Sequence, residues 1–192
     1  ANGGEAIAIK VDVSKAAEVE AMVAATVEHF GSLDCVSNNA AGGASFAMLP
    51  EMEEASWDKT QAVCLKGVWL CLKYQIPAML KTGGGAIVNI ASLSAVRGEA
   101  MQSPYSAAKG GVIALTRTAA AEWARDGIRI NAINPGGIRT EGIKRYFEQV
   151  PGAEENTAGV HAMRRLGEPE EVADAVCYLV SDRASFITGT TL

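Results

Sequence analysis

The sequence lacks the residue patterns of a disulfide framework or a metal site. Its 192 residues include four cysteines and two histidines, and no two cysteines form a C-x-x-C pair. Cys64 and Cys71 lie seven residues apart, which places them on one face of a predicted helix, where we interpret them as small core residues. The pattern predicts no bound metal and favours a reduced, cytoplasmic compartment.

Basic runs and uninterrupted apolar runs are also missing. The formal net charge is -5, and without a Lys/Arg cluster this argues against a nucleic-acid surface or a polybasic membrane contact. The stretch "AVCLKGVWLCLKYQIPAML" is interrupted by Lys66 and Lys73, so it predicts no membrane span, and the first residues do not resemble a signal peptide. We therefore expect a soluble protein whose partners are small molecules, with no nucleic acid and no membrane.

Short apolar runs alternate with long helical patterns along the chain. The predicted strands are 6–13 ("AIAIKVDV"), 33–40, 86–92, 128–137 and a last strand that starts near residue 184. The predicted helices run from a cap at Ser14 to Phe30, and over 56–80, 103–127 and 169–180, while 141–165 is irregular and amphipathic. This order predicts an α/β fold, a doubly wound parallel sheet with helices on both faces, whose ligands bind at the carboxyl ends of the strands.

One of these helices carries a candidate proton-transfer pair in "SPYSAAKGG". Tyr105 and Lys109 are four residues apart, so they share a helix face and can point at the same cavity. A nearby cation favours phenolate over phenol and predicts a lowered pKa for the tyrosine, which would serve as acid/base. Ser92 ends the strand "AIVNIAS", where its hydroxyl can donate to a substrate oxygen. The alternative for Ser92 is an ordinary hydrogen bond with local backbone.

Together these residues resemble the short-chain dehydrogenases/reductases that have a single Rossmann-like domain. Ser92 lies thirteen residues before Tyr105, as the active-site serine does in that family. The segments "VDVS", "NNAAGG", "PGGIRT" and "RLGEPEEVADAVCYLVSDRASFITG" are similar to further family motifs in the family's order. The resemblance covers nearly the whole chain and implies a three-layer αβα fold, which we expect to form one partial domain over residues 1–192.

The resemblance also implies roles for individual residues. Ser92, Tyr105 and Lys109 would be the catalytic residues of a hydride transfer between a nicotinamide cofactor and a small-molecule alcohol or ketone. Lys109 would in addition bind the nicotinamide ribose together with Tyr105. The other residues that the resemblance assigns to the cofactor are Asp12 and Val13 near the adenine, Asn39 and Ala40 on the adenosine side, and Ile138 and Thr140 at the carboxamide.

The sequence departs from the family pattern in three ways. Cys64 stands where the family often has an asparagine that supports a water relay to the lysine, and a thiol cannot form the paired hydrogen bonds of an amide. Ala41 stands where glycine is usual. No glycine-rich phosphate loop is present, so the chain starts just before the family's third strand and lacks the first βαβ unit. The choice between NAD and NADP therefore stays open.

Two other functions remain as alternatives. The missing phosphate loop and Cys64 favour a non-catalytic, family-derived fragment that acts as an oligomerisation or binding module. An enoyl-thioester reductase would need a wider spacing between the tyrosine and the lysine.

By analogy with the family, the long helices that carry Cys64 and Tyr105 are expected to pack between subunits of a homodimer or homotetramer. Residues 141–163 fall where the family has a mobile substrate lid.

Overall fold

The computed structural model describes residues 3–42 and 45–192 of the chain. Its strands are β1 (Cys35–Asn38), β2 (Gly85–Ile90) and β3 (Ile128–Ile133). Its α-helices are α1 (Ala16–Phe30), α2 (Glu54–Gln61), α3 (Gly67–Leu80), α4 (Ser94–Arg97), α5 (Ser103–Trp123), α6 (Glu141–Gln149), α7 (Ala153–Gly159) and α8 (Pro169–Val180). A single π-helical turn, Ala62–Lys66, joins α2 to α3 without a break. Within the described ranges, no helix combines the length and apolar character that crossing a bilayer requires.

The three strands form one parallel sheet in the order β1-β2-β3. Val36 pairs with Ile87, and Ile87 pairs with Ile130, so the strands lie in register across the sheet. Parallel neighbours need a crossover connection, which α3 supplies between β1 and β2 and α5 supplies between β2 and β3. The carboxyl ends of all three strands therefore meet at one edge of the sheet.

Helices cover both faces of this sheet. Ile87 and Ile130 face the larger core cluster, which α3 and α5 complete with side chains such as Ile76 and Val112. Val88 points the other way because side chains alternate along a strand, and it packs with side chains of α8. The predicted doubly wound, Rossmann-like αβα arrangement is thereby confirmed.

The amino-terminal region differs from its prediction. Residues 6–13 form no strand, since a β-strand requires a hydrogen-bonded neighbour and none of the described residues pairs with this segment. Its apolar side chains Val11 and Val13 instead pack against α1 and α3. Ser14 does not cap α1. Its hydroxyl donates to Asp12 Oδ1 over 2.7 Å, and the helix begins at Ala16 with Lys15 at the cap position.

The carboxyl-terminal third also differs in part. The segment predicted as irregular contains the helices α6 and α7, while α8 spans 169–180 as predicted. The predicted last strand is reduced to a parallel bridge between Thr191 and Ala132 of β3. Asn131 holds this tail, because its Nδ2 donates to Ile187 O (2.9 Å) and its Oδ1 accepts from Thr190 N (3.2 Å).

Candidate active site

A cavity of about 250 Å³ lies at the carboxyl ends of β2 and β3. Six of the residues that the sequence nominated line it, namely Asn39, Ser92, Tyr105, Lys109, Ile138 and Thr140. They come from the loops that follow β1, β2 and β3 and from the first turns of α5. Residues from four separate segments of the sequence thus converge on one cavity, at the edge of the sheet where doubly wound folds bind their ligands.

Tyr105 and Lys109 reach the cavity from the start of α5. Pro104 occupies the first turn of this helix, where its missing N–H costs no hydrogen bond. Lys109 is 1% exposed, and its Nζ donates to Ile90 O at the end of β2 over 2.6 Å. The same Nζ lies 5.6 Å from the centre of the Tyr105 ring. Strand β2 and the tyrosine therefore hold the lysine ammonium beneath the cavity.

Burial dominates the protonation of both side chains. It raises the pKa of Tyr105 above its usual value, Cys64 and the Glu99 carboxylate add to the increase, and the neighbouring Ser92 hydroxyl, where it donates to the phenol oxygen, acts in the opposite direction. Burial likewise lowers the pKa of Lys109, against a smaller opposing effect of Cys64. The direction for Tyr105 is opposite to the one expected from the sequence, because removing the phenol from water disfavours phenolate more than its neighbours favour it.

Ser92 lies at the end of a short chain of hydrogen bonds. Its Oγ accepts from Ser94 N over 3.2 Å and donates to Ser94 Oγ over 3.2 Å. Ser94 Oγ donates in turn to Glu99 Oε2 over 3.0 Å, and Gln102 Nε2 donates to the same carboxylate oxygen over 2.7 Å. Ser92 thus has local partners, as its alternative interpretation required, and it also lines the cavity.

Cys64 occupies the π-helical turn between α2 and α3. Its Sγ donates to Gly42 O over 3.4 Å, and its side chain is fully buried. π-helical turns often occur at functional sites because the extra residue changes which side chains face inward. Here the turn places the thiol close to Tyr105 and Lys109.

The three remaining cofactor candidates lie outside the active-site cavity. Ala40 and Val13 do not line the active-site cavity. They line a second cavity of about 370 Å³ between α1, β1 and α3, which Asn39 also borders. Asp12 borders neither cavity, and its carboxylate accepts from Ser14 N and Oγ. The last glycine of "NNAAGG", Gly43, lies outside the described residues.

Sequence reasoning missed His161, which interacts with the "PGGIRT" loop. Its Nε2 accepts from Gly137 N over 3.0 Å, and a Cβ on Gly136 would lie 2.4 Å from its Cε1. The two glycines are therefore needed so that the loop can approach the imidazole closely. The paired glycines were the available signal, since they indicate a close approach without naming the partner.

Similar proteins are known in sequence. A family model described as "Enoyl-(Acyl carrier protein) reductase" matches residues 1–192 of the chain. The short-chain dehydrogenase/reductase astE of Aspergillus oryzae is 42% identical over 192 residues, which cover 99% of this chain and 74% of that protein. The chain thus matches about three quarters of the length of this relative.

Solved structures with the same fold cover nearly the whole chain. The crystal structure of levodione reductase superposes with a TM-score of 0.94 at 38% identity, over 100% of this chain and 76% of that one. ElxO with NADP bound gives 0.91 at 34% identity, covering 95% and 73%. NAD+-bound xylitol dehydrogenase gives 0.88 at 31% identity, covering 95% and 75%. The arrangement of sheet and helices described above is therefore shared with these proteins.

Proposed function

The chain belongs to the short-chain dehydrogenase/reductase family, and from this premise we propose that it transfers a hydride between a nicotinamide dinucleotide and a small alcohol or ketone. The observation that carries the proposal is the convergence of Ser92, Tyr105 and Lys109 on one cavity. Relatives of the chain include a levodione reductase and a xylitol dehydrogenase, and their names place carbonyl and alcohol substrates in this family.

Tyr105 is the proposed acid/base. Because burial raises its pKa, the phenol is protonated near neutral pH and is in the form that donates a proton to a carbonyl oxygen. Oxidation of an alcohol requires the phenolate, so we expect that direction to become faster as the pH rises. Ser92 would hold the substrate oxygen beside Tyr105 through its hydroxyl.

Lys109 is the proposed contact to the nicotinamide ribose. An ammonium has three N–H groups, and one of them donates to Ile90 O, so two more are available to ribose hydroxyls. The contact with β2 fixes the direction of the side chain before any ligand binds. When bound, the nicotinamide ring supplies or accepts the hydride.

The residues around the two cavities fit a dinucleotide. Thr140 offers a hydroxyl and Ile138 an apolar side chain beside Tyr105 and Lys109, which suits the carboxamide and one face of the nicotinamide ring. Ala40 and Val13 border the second cavity, where apolar surface suits the adenine, and Asp12 lies one residue from Val13. Asn39 borders both cavities. Since solved relatives contain NADP or NAD+, we propose either nucleotide for this chain.

We also propose that the protein forms a homo-oligomer through α2, α3 and α5. Trp57 and Trp69 are 40% and 46% exposed, and Trp69 borders a shallow depression together with Leu65 and Leu115. Large exposed aromatic side chains are common at subunit interfaces. Light scattering during size-exclusion chromatography measures the mass of the particle and tests this point.

Binding and turnover together test the proposed function. Fluorescence titrations with NADH and NADPH measure affinity, and absorbance at the nicotinamide band then follows turnover of xylitol, a cyclic ketone and a crotonyl thioester. We expect saturable binding of one nucleotide and turnover of an alcohol or ketone. Turnover of the thioester alone would favour the enoyl reductase, whereas a lack of binding to either nucleotide would favour the non-catalytic module.

A further inference from the structure

The loop between α4 and α5 holds a carboxylate next to the proposed catalytic residues. Glu99 lies between Gly98 and Met101, whose φ angles of 70° and 67° are both left-handed. Such a conformation is unfavourable for a non-glycine residue and persists only where the surrounding structure holds it. Ala47 N donates to Met101 O over 3.1 Å, which fastens the loop to the segment after β1.

The donor and the acceptor of each hydrogen bond can be assigned in turn, starting from the Glu99 carboxylate and moving toward the cavity. An ionised carboxylate only accepts hydrogen bonds, and a serine hydroxyl has one proton to donate. Ser94 gives its proton to Glu99, so in the contact between Ser94 Oγ and Ser92 Oγ the proton must come from Ser92. Ser92 also accepts from Ser94 N, which fixes the position of its oxygen.

We propose that Glu99, acting through Ser94, is a positioning residue that turns the Ser92 hydroxyl proton away from Tyr105. The proposal rests on the function proposed above for Ser92 and Tyr105. A Ser92 hydroxyl that donates to the phenol oxygen lowers the pKa of Tyr105. With its proton directed to Ser94 instead, Ser92 no longer lowers this pKa and can only accept a hydrogen bond from the phenol. The arrangement keeps Tyr105 in its protonated form, the form that can donate a proton to the oxygen of a carbonyl group as that group is reduced.

The length of the contact makes this orientation reversible. A distance of 3.2 Å between Ser92 Oγ and Ser94 Oγ is longer than the usual range for O–H···O hydrogen bonds. A substrate carbonyl is a competing acceptor, so the Ser92 proton can rotate toward it once it binds. Glu99 thus sets the resting orientation and leaves Ser92 able to donate when a substrate oxygen is present.

Two substitutions separate this relay from a simple effect of charge. The ionisable groups that act on Tyr105 are Cys64 from the π-helical turn, Glu99 from the loop and Lys109 from its own helix. Glu99→Gln removes the charge of the carboxylate. Ser94→Ala keeps that charge but leaves Ser92 without an acceptor for its proton, so that Ser92 can donate to the Tyr105 phenolate and stabilise it.

The direct test is a pH titration of Tyr105 by tyrosinate ultraviolet absorbance, taken as the difference between each protein and its Tyr105→Phe counterpart. We expect Glu99→Gln to lower the midpoint by roughly 0.5 to 1 pH unit, and Ser94→Ala to lower it by a smaller amount. Glu20→Gln, an exposed substitution on α1, is the control for the loss of one negative charge, and its midpoint should equal that of the unmodified protein.

An unchanged midpoint in Ser94→Ala overturns the proposal, whether or not Glu99→Gln shifts it, because a shift in Glu99→Gln alone is the result of charge acting through space. Circular dichroism at each pH verifies the fold. Where the fold is lost below the midpoint, the pH dependence of kcat/KM for oxidation of the alcohol that the turnover assay identifies gives the same comparison. The titration requires no turnover, so failure of the proposed function would be recognised separately, as absent nucleotide binding.

Discussion

Lys109 combines a buried charge with a position at the edge of the proposed nicotinamide site. A buried charge is costly unless it is paired or hydrogen-bonded, and among the described residues the ammonium of Lys109 is compensated by its hydrogen bond to Ile90 O and by the Tyr105 ring 5.6 Å away. Such a lysine contributes little to folding, and its replacement by an apolar side chain of similar length can be neutral or stabilising. Its value to the protein therefore lies in binding.

We expect Lys109→Met to weaken NADH or NADPH binding by roughly ten- to a hundredfold, the worth of a hydrogen bond to a charged group. The free energy of unfolding should not decrease. Fluorescence titration and urea denaturation measure the two quantities. Lys73→Met removes a lysine ammonium that lies over the Trp69 ring outside the site, and it should leave affinity unchanged. Undiminished affinity in Lys109→Met would contradict the role assigned to this residue.

Cys71 gives the protein an alkaline sensitivity that is independent of the active site. Burial raises the pKa of its thiol to about 11. In the unfolded chain the thiol ionises at its ordinary, lower pKa, so the folded state binds more protons as the pH rises. We expect the free energy of unfolding to decrease between about pH 9 and pH 11, by up to roughly 3 kcal/mol from this residue.

Urea denaturation across this pH range measures the effect. Cys71→Ala lowers stability at every pH by leaving a small cavity, and it should flatten the alkaline decrease, whereas Cys177→Ala, which replaces an exposed thiol, should not. If the pH slope of the Cys71→Ala protein equals that of the unmodified protein, the Cys71 thiol ionises over the same pH range in the folded and the unfolded state, which contradicts the prediction.

At the scale of the elements, a buried polar network joins the sheet to its covering helices. Asn38 of β1 donates to Asn89 Oδ1 of β2 over 2.9 Å and exchanges hydrogen bonds with Gln75 of α3. Asn89 Nδ2 donates to Thr116 Oγ1 of α5 over 3.0 Å. Every one of these side chains is buried, so each depends on its partners for hydrogen bonding.

Asn89→Ala should therefore destabilise the protein by about 2 to 3 kcal/mol, since it leaves polar atoms of Asn38 and Thr116 without this partner in the core. Urea denaturation measures the change. Asn156→Ala, an exposed substitution in α7, is the matched control and should change stability by less than about 0.5 kcal/mol. A similar small change for Asn89→Ala would mean that the network can be replaced by packing.

The loop after β3 is the second element whose position matters. His161 accepts from Gly137 N, and the same loop continues to Ile138 and Thr140 at the cavity. Arg139 holds the next turn through ion pairs with Glu154 and Glu168. The loop is thus fastened to α7 and to the start of α8 before a nucleotide binds.

We expect His161→Ala to weaken nicotinamide nucleotide binding severalfold, because a loop that must be ordered on binding lowers affinity. Isothermal titration with NADH and NADPH measures it. The other histidine provides the control: His29 contacts Glu5 at the surface, and His29→Ala should bind as the unmodified protein does. If His161→Ala and His29→Ala bind the nucleotide with equal affinity, the hydrogen bond between His161 and Gly137 does not prepare the loop for binding.

At the scale of the whole molecule, the sequence predicted those elements that are determined by residues close together along the chain. Pro169 marked the start of α8 and periodicity marked α5, since caps and apolar spacing are local signals. Residues 6–13 have strand-like composition, but pairing is a property of a neighbouring segment and cannot be predicted from composition alone. The single domain over residues 1–192 and the cytoplasmic location stay predictions.

The site was predictable where spacing determines geometry and less so where burial does. Tyr105 and Lys109 share a helix face because they are four residues apart, and Ser92 follows β2 directly. The pKa of Tyr105 had the opposite direction to the expected one, because the extent of its burial depends on segments distant in sequence. His161 was missed for the same reason, since twenty-four residues separate it from Gly137.

The most direct test of the account is nicotinamide-dependent turnover by the Tyr105→Phe protein, compared with the unmodified protein and with Tyr178→Phe. The phenylalanine keeps the ring and removes the proton that is transferred, so we expect turnover to decrease by roughly 10² to 10⁴-fold while NADH or NADPH affinity stays within severalfold. Tyr178→Phe, in which the ring beside Arg183 is kept, should turn over normally. Undiminished turnover by Tyr105→Phe would contradict the account.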